Sequence, residues 1–289
     1  ITESLFVPEY DEKKEIWEGK ILDKQDIWEI SGIKNIYTDK DFKKECSEII
    51  NICDVVYFNK NTNPRFKSEI LSRDDRFIDE IRKYFPKVNL RAIDNIMTEL
   101  RLIKEPEEIA LISKACSITS EAFMELMLFI KPGISEYEIE AEIIRYFIAS
   151  GANGHAYDPI IASGANACYL HYSNNSDILQ DGQLLLMDFG AEYANYSSDC
   201  TRTVPVNGKF SKRQKEVYNS VLKVFFEARK MLVKGGTLKD YHINVCEYMQ
   251  EELLSLKLLT SEEVKNQDSN NPAYLRYYMH GTSHYLGLD

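Results

Sequence analysis

No run of apolar residues in this chain approaches the roughly twenty needed to cross a bilayer, so nothing in it asks for a membrane. Positive charge is in deficit: 35 Lys and Arg against 46 Asp and Glu leave a net charge of -11. That balance is opposite to the footprint of a nucleic-acid binder or of a protein held on anionic lipid. The six cysteines (Cys46, Cys53, Cys116, Cys168, Cys200 and Cys246) are scattered with no C-x-x-C pair. Free, packed thiols in a reducing cytoplasm are the reading this supports. No glycine-rich phosphate loop and no Ser or Cys nucleophile motif is present. Histidine is scarce, with five in 289 residues. Any catalytic chemistry must therefore come from a short list of side chains.

What is present is a soluble-protein composition, 44% hydrophobic and 28% charged, long enough for one large domain or two ordinary ones. Residues 1–96 alternate short pieces: a strand over Glu3–Val7, a helix over Asp23–Ile30, a strand over Asp54–Phe58, a turn at Asn61–Pro64 and a helix over Asp74–Tyr84. This reads as part of a small α/β domain. A second unit, residues 97–289, opens where Pro106 starts a helix carrying Ile109, Ile112, Cys116 and Phe123. Lys131-Pro132-Gly133 breaks it, and Ser135 with Glu138 caps the next helix, whose apolar face is Ile139, Ile143 and Phe147. The pattern returns later: a capped helix from Ser211, a break at Lys234-Gly235-Gly236, and a new helix from Thr237. Two helix pairs of one design suggest two pseudo-symmetric α+β halves around one sheet.

The stretch from Leu184 to Val206 carries the chemistry. Leu184–Met187 is an apolar strand ending in Asp188, and Tyr196–Val206 is a second strand with Asp199 near its start. With the turn at Tyr193-Ala194, Asp188 faces Asp199, their Cβ atoms roughly 4.5–5.5 Å apart on one face. Two like charges that close either share a proton or hold a cation. A register different by one residue would point them apart. His280 and His284 share a face whether the segment is helical or extended. His171 is the remaining candidate. Arg202 faces away and suits a salt bridge, His242 suits a solvated helix position, and His155 suits a structural role. Two Asp with a His favour an ion of the Mn, Fe, Co or Zn type, and hydrolysis is the natural outcome.

Three separated segments, YDPIIASGANACYLHYSNN, MDFGAEYANYSSDCTRTVPVNGKFSKRQKEVYNSVL and YMHGTSHYLGLD, resemble the aminopeptidase P (Xaa-Pro aminopeptidase) branch of the pita-bread metallopeptidases. The likeness runs from about Glu99 to Asp289, and Glu15-Ile-Trp-Glu-Gly19 resembles the rear of that family's creatinase-like N-terminal domain. The resemblance implies a truncated pita-bread α+β catalytic domain behind a partial α/β domain. It implies a centre of two divalent metal ions, usually Mn(2+), with Asp188, Asp199 and His284 as ligands and His171 and His280 as non-ligand catalytic histidines. Two further glutamate ligands would lie beyond Asp289. It also implies that a metal-bridged hydroxide attacks the scissile carbonyl of peptides with proline second. Trp17 would match an aromatic that reaches a neighbouring subunit's site, hence a homo-oligomer, a dimer or tetramer. Prolidase and a metal-free pita-bread binding protein stand as alternatives. Because the chain starts at Ile1 rather than Met and stops just past a His/Gly-rich stretch, it is expected to be an interior piece, inactive alone.

Overall fold

The computed structural model describes residues 2–60 and 69–288. The turn expected at Asn61–Pro64 lies outside these. Two compact units are present, Ile1–Leu100 and Arg101–Asp289.

The first unit is built from β1 (Ser4–Val7), α1 (Glu12–Glu18), α2 (Lys24–Ser31), β2 (Asn35–Thr38), α3 (Phe42–Ile52), β3 (Val55–Phe58), α4 (Arg73–Tyr84) and β4 (Asn89–Ala92). β1 pairs with β2 and β3 with β4, both parallel, as expected of strands joined through helices. Asp23 starts α2 with a reciprocal capping box, and Ser72 does the same for α4. Ile78 and Ile81 of α4 are buried, but Tyr84, expected on the same face, is largely exposed. Phe6, Phe42 and Phe77 form a chain of ring contacts at 5.0 and 5.7 Å. α5 (Asp94–Leu102) carries the division between the units.

In the second unit α6 (Pro106–Phe129) and α7 (Glu136–Ala149) precede six strands: β5 (Gly154–His155), β6 (Ile160–Ser163), β7 (Leu184–Phe189), β8 (Ala191–Tyr193), β9 (Tyr196–Ser197) and β10 (Cys200–Pro205). α8 (Lys212–Met231), α9 (Leu238–Ser255) and α10 (Ser261–Lys265) follow. Both expected helix pairs form. The strands make two three-stranded sheets, β10-β7-β6 and β5-β8-β9, rather than the single sheet expected. The face of α6 also differs from expectation. Ala115, Ile118, Ala122, Phe123 and Leu126 are buried, whereas Ile109 and Cys116 are exposed. α6 lies against α7, β8 and β9, and that contact selects the stripe through Ile118 and Ala122. Of the cysteines only Cys246 is buried, and all six are free. The main core gathers Ile118, Leu126, Ile139, Ile143, Phe147, Leu185, Met187 and Phe189. No described helix is long and apolar enough to cross a membrane.

Candidate metal centre

β7 alternates: Leu185, Met187 and Phe189 are buried, and Asp188 looks to the opposite face with Leu184 and Leu186. Its partner across the hairpin is Thr201, not Asp199; Phe189 meets Cys200 and Glu192 meets Ser197. The register is thus two residues away from the one expected. The cause is the turn, which uses Ala194 and Asn195, both left-handed with φ of 51° and 68°. That is the two-residue hairpin whose twist suits the flanking strands. Because the shift is even, Asp199 keeps the same face as Asp188.

Between β7 and β8, and between β9 and β10, the ladder breaks at Gly190 and at Ser198-Asp199. The Ser198 carbonyl lies where a Cβ on Gly190 would be, so only glycine fits. Beneath the break, the Ala191 amide donates to both Thr119 Oγ1 and Ser198 Oγ at 2.9 Å, which ties the hairpin to α6. On the other side the Ala156 amide donates to the Gly190 carbonyl at 2.8 Å. That bond delivers the next residue, Tyr157, to the site. Its hydroxyl lies 2.7 Å from Asp188 Oδ1 and 3.1 Å from Asp199 Oδ1. Burial, then the bond to Asp188, pushes the phenol far above its ordinary range, so it remains a donor at neutral pH. Tyr157 was not among the residues singled out from the sequence. Its signal was present only as the aromatic that opens the YDPIIASG segment.

His284 Nε2 is 2.9 Å from Asp199 Oδ2, and its Nδ1 is 2.9 Å from the Tyr285 carbonyl. Its segment is irregular, not helical. His171 and His280 are exposed, and neither is hydrogen-bonded to Asp188 or Asp199 among the described residues. His280 Nδ1 meets the Gly281 carbonyl at 2.8 Å, and its ring packs edge-on against Tyr278 at 5.2 Å. Two sequence expectations are corrected. His242 is half-buried rather than fully solvated, its Nδ1 lying 2.7 Å from Thr282 Oγ1 where α9 meets that segment. Arg202 forms no salt bridge among the described residues and donates to the Thr201 carbonyl at 2.8 Å, its strand position being exposed.

The donor chemistry suits a cation. A backbone carbonyl can only accept, and so can an ionised carboxylate, yet both ring nitrogens of His284 face such groups. With a metal bound, Nδ1–H would donate to the Tyr285 carbonyl and Nε2 would be left to ligate, the usual orientation of a ligating imidazole. Asp188 and Asp199 likewise converge on one hydroxyl whose single proton satisfies only one of them. These contacts are pairwise, however. Among the described residues no three His, Cys, Asp or Glu side chains are gathered closely enough to hold a metal ion. The Tyr157 oxygen stands between the two aspartates. A cavity of about 650 Å³ exists elsewhere, beside α10, lined by Thr260, Glu263 and Arg276 among others.

One more histidine lies nearby. Both ring nitrogens of His155 are buried and have no hydrogen-bond partner among the described residues, while the ring packs edge-on to Phe147 at 5.2 Å. Burial pushes its pKa below the usual imidazole range, with Glu140 and Asp158 opposing. The unfolded chain therefore binds a proton more readily than the fold. Stability is highest above the unfolded pKa of about 6.5 and falls as pH drops from there toward the folded value. His155→Leu is expected to add about 1 kcal/mol at neutral pH by removing unpaired nitrogens. It should add more at pH 5.5, as read by urea unfolding at both pH values. An unchanged pH slope in the variant would exclude His155 as its source.

Comparison with known proteins gives this geometry a family. Residues 1–57 match the aminopeptidase P N-terminal domain, and residues 110–289 match metallopeptidase family M24. The Xaa-Pro aminopeptidase of Haemophilus influenzae is 33% identical over 287 residues, 99% of this chain and 64% of that protein. The Xaa-Pro aminopeptidase of Escherichia coli is 34% identical over 283 residues, 95% of this chain and 62% of that protein. The chain thus spans less than two thirds of these relatives' length. A structure of zinc-substituted E. coli aminopeptidase P in complex with product superposes with a TM-score of 0.86 at 31% identity, covering 99% of this chain and 64% of that one. The fold is that of aminopeptidase P, a pita-bread α+β unit preceded by an α/β unit. With the family match extending over 110–289, well over half of the sequence, the chain belongs to metallopeptidase family M24.

Proposed function

We propose that the natural protein is a metal-dependent aminopeptidase that hydrolyses the bond between the first residue and a proline in second position. The observation that carries this reading is the run of contacts through Asp199: one oxygen takes the Tyr157 hydroxyl that it shares with Asp188, and the other faces His284 Nε2. Asp188, Asp199 and His284 would hold divalent metal, in keeping with the metallopeptidase family. We take the ions to be two, and manganese. When bound, such ions acidify water and polarise a carbonyl.

The chain's own residues then have separable tasks. Asp199 is the centre, touching both Tyr157 and His284. Tyr157, kept protonated, orients the two carboxylates rather than accepting a proton. The Tyr285 carbonyl fixes the imidazole tautomer of His284. His171 and His280 are the donors we assign to the substrate carbonyl or the tetrahedral oxyanion, a role their exposure permits. The peptide substrate, a homo-oligomeric state and a reducing cytoplasmic setting belong to the same reading; free cysteines agree with the last.

Chelation tests it. An Xaa-Pro tripeptide should be cleaved by the natural protein with added manganese. Dialysis against a chelator should lower the rate by at least about a hundredfold, and returning manganese should restore it. Equal rates before and after metal removal would end the proposal. Faster cleavage of the Xaa-Pro dipeptide than of the tripeptide would turn it into a prolidase.

A further inference from the structure

Glu136 is fully buried at the first position of α7. Its carboxylate accepts from the Ser163 amide at 2.7 Å and the Ser163 hydroxyl at 2.8 Å. It also accepts from Asn166 Nδ2 at 3.3 Å, the Tyr172 hydroxyl at 2.7 Å and the Asp177 amide at 3.0 Å. Burial alone would push this carboxyl up, but the Ser163 and Asp177 amides and the Tyr172 and Ser163 hydroxyls outweigh it and hold it below the usual range. The anion also sits at a helix N-terminus, where the macrodipole favours it.

The donors come from both ends of one segment. Ser163 and Asn166 lie where it begins, Tyr172 and Asp177 where it closes. One turn further along α7, Glu140 receives Asn175 Nδ2 at 2.9 Å, and Asn175 Oδ1 accepts from the Ile161 amide at 2.9 Å. Backbone bonds complete the closure: the Glu136 amide to the Asp177 carbonyl at 2.9 Å and the Leu179 amide to the Ile134 carbonyl at 2.8 Å. His171 stands on the crest of this segment, next to Tyr172. The crest has little packing of its own, since Tyr169 and Leu170 beside it are 68% and 52% exposed. Polar anchoring from beneath therefore sets where it lies. An apolar side chain could fill the volume of Glu136, yet it could not join the two ends of the segment.

We propose that Glu136 is a positioning residue that acts through Tyr172 to hold His171 at the reacting carbonyl. This deepens the aminopeptidase reading and rests on it, because that reading assigns His171 to the substrate.

The test uses the manganese-loaded natural protein with Glu136→Gln, Tyr172→Phe, His171→Ala, and each of the first two combined with the third. Two quantities are read: kcat/KM on an Xaa-Pro tripeptide, and the imidazole C2–H resonance of His171, assigned by its disappearance in His171→Ala. Glu136→Gln and Tyr172→Phe should each shift or broaden that resonance. Each should lower kcat/KM by about tenfold or more, mainly through kcat. Neither should lower it further once His171 is gone. Losses that multiply with His171→Ala, or a resonance unmoved in both variants, would overturn the proposal. If Glu136→Gln does not fold, Tyr172→Phe decides, since it deletes a single hydroxyl. If the natural protein cleaves no Xaa-Pro peptide, the functional reading fails while the resonance still decides whether Glu136 positions His171.

Discussion

Asp199→Asn is expected to lower kcat/KM for an Xaa-Pro tripeptide by on the order of a thousandfold, in the natural protein assayed with saturating manganese. Asp199 is where the contacts of the site meet. One oxygen takes the Tyr157 hydroxyl at 3.1 Å and the other faces His284 Nε2 at 2.9 Å. An amide has the same shape but carries no charge, and it presents N–H to at least one of those neighbours. The variant should keep its fold, because the position is only partly enclosed and two like charges no longer converge there. A second reading separates metal binding from turnover. Manganese should raise the melting temperature of the parent protein by mass action, and Asp199→Asn should lose most of that rise. A variant that still turns over and is still stabilised by manganese would remove Asp199 from the site.

The other large effect is on folding. Gly190→Ala should destabilise the second unit by about 3 kcal/mol or more, above the usual cost of an added methyl, because the new carbon meets backbone instead of a movable side chain. For a unit of this size that is a fall of about 10 °C in the melting temperature. To make room, the Ser198 carbonyl must move away, carrying Asp199 with it. The Gly190 carbonyl must also loosen its 2.8 Å bond from the Ala156 amide, carrying Tyr157. Manganese-dependent stabilisation should therefore weaken together with the fold. Gly281→Ala serves as control, since a Cβ there meets nothing within 4 Å. Equal melting temperatures for the two variants would show that the hairpin yields at Gly190 without cost.

How far the site was legible follows from its periodicities. Asp188 and Asp199 share a face because strand side chains alternate with period two, and that survives any even error in register. The register itself was not legible. It depends on Ala194 and Asn195 both taking left-handed φ, and alanine gives no warning of that conformation. The buried stripe of α6 is not legible either, for a related reason. Isoleucines recur on more than one side of a long apolar helix, and only the neighbours α7, β8 and β9 decide which side is covered. A histidine on a polar helix face, such as His242, declares no partner until Thr282 is folded against it.

What this sequence determines by itself is local: where helices begin and stop, which strand residues share a face, the absence of nucleophile and phosphate motifs, and a family likeness carried by short separated segments. Tertiary structure alone decided that Tyr157 stands between two aspartates and that Glu136 ties the ends of the His171 segment together. Both depend on close approach between stretches roughly thirty residues apart, an approach set by strand pairing and by a carbonyl lodged against Gly190. Residue type and spacing record which side chains a chain owns, whereas the packing of distant backbone settles which of them touch.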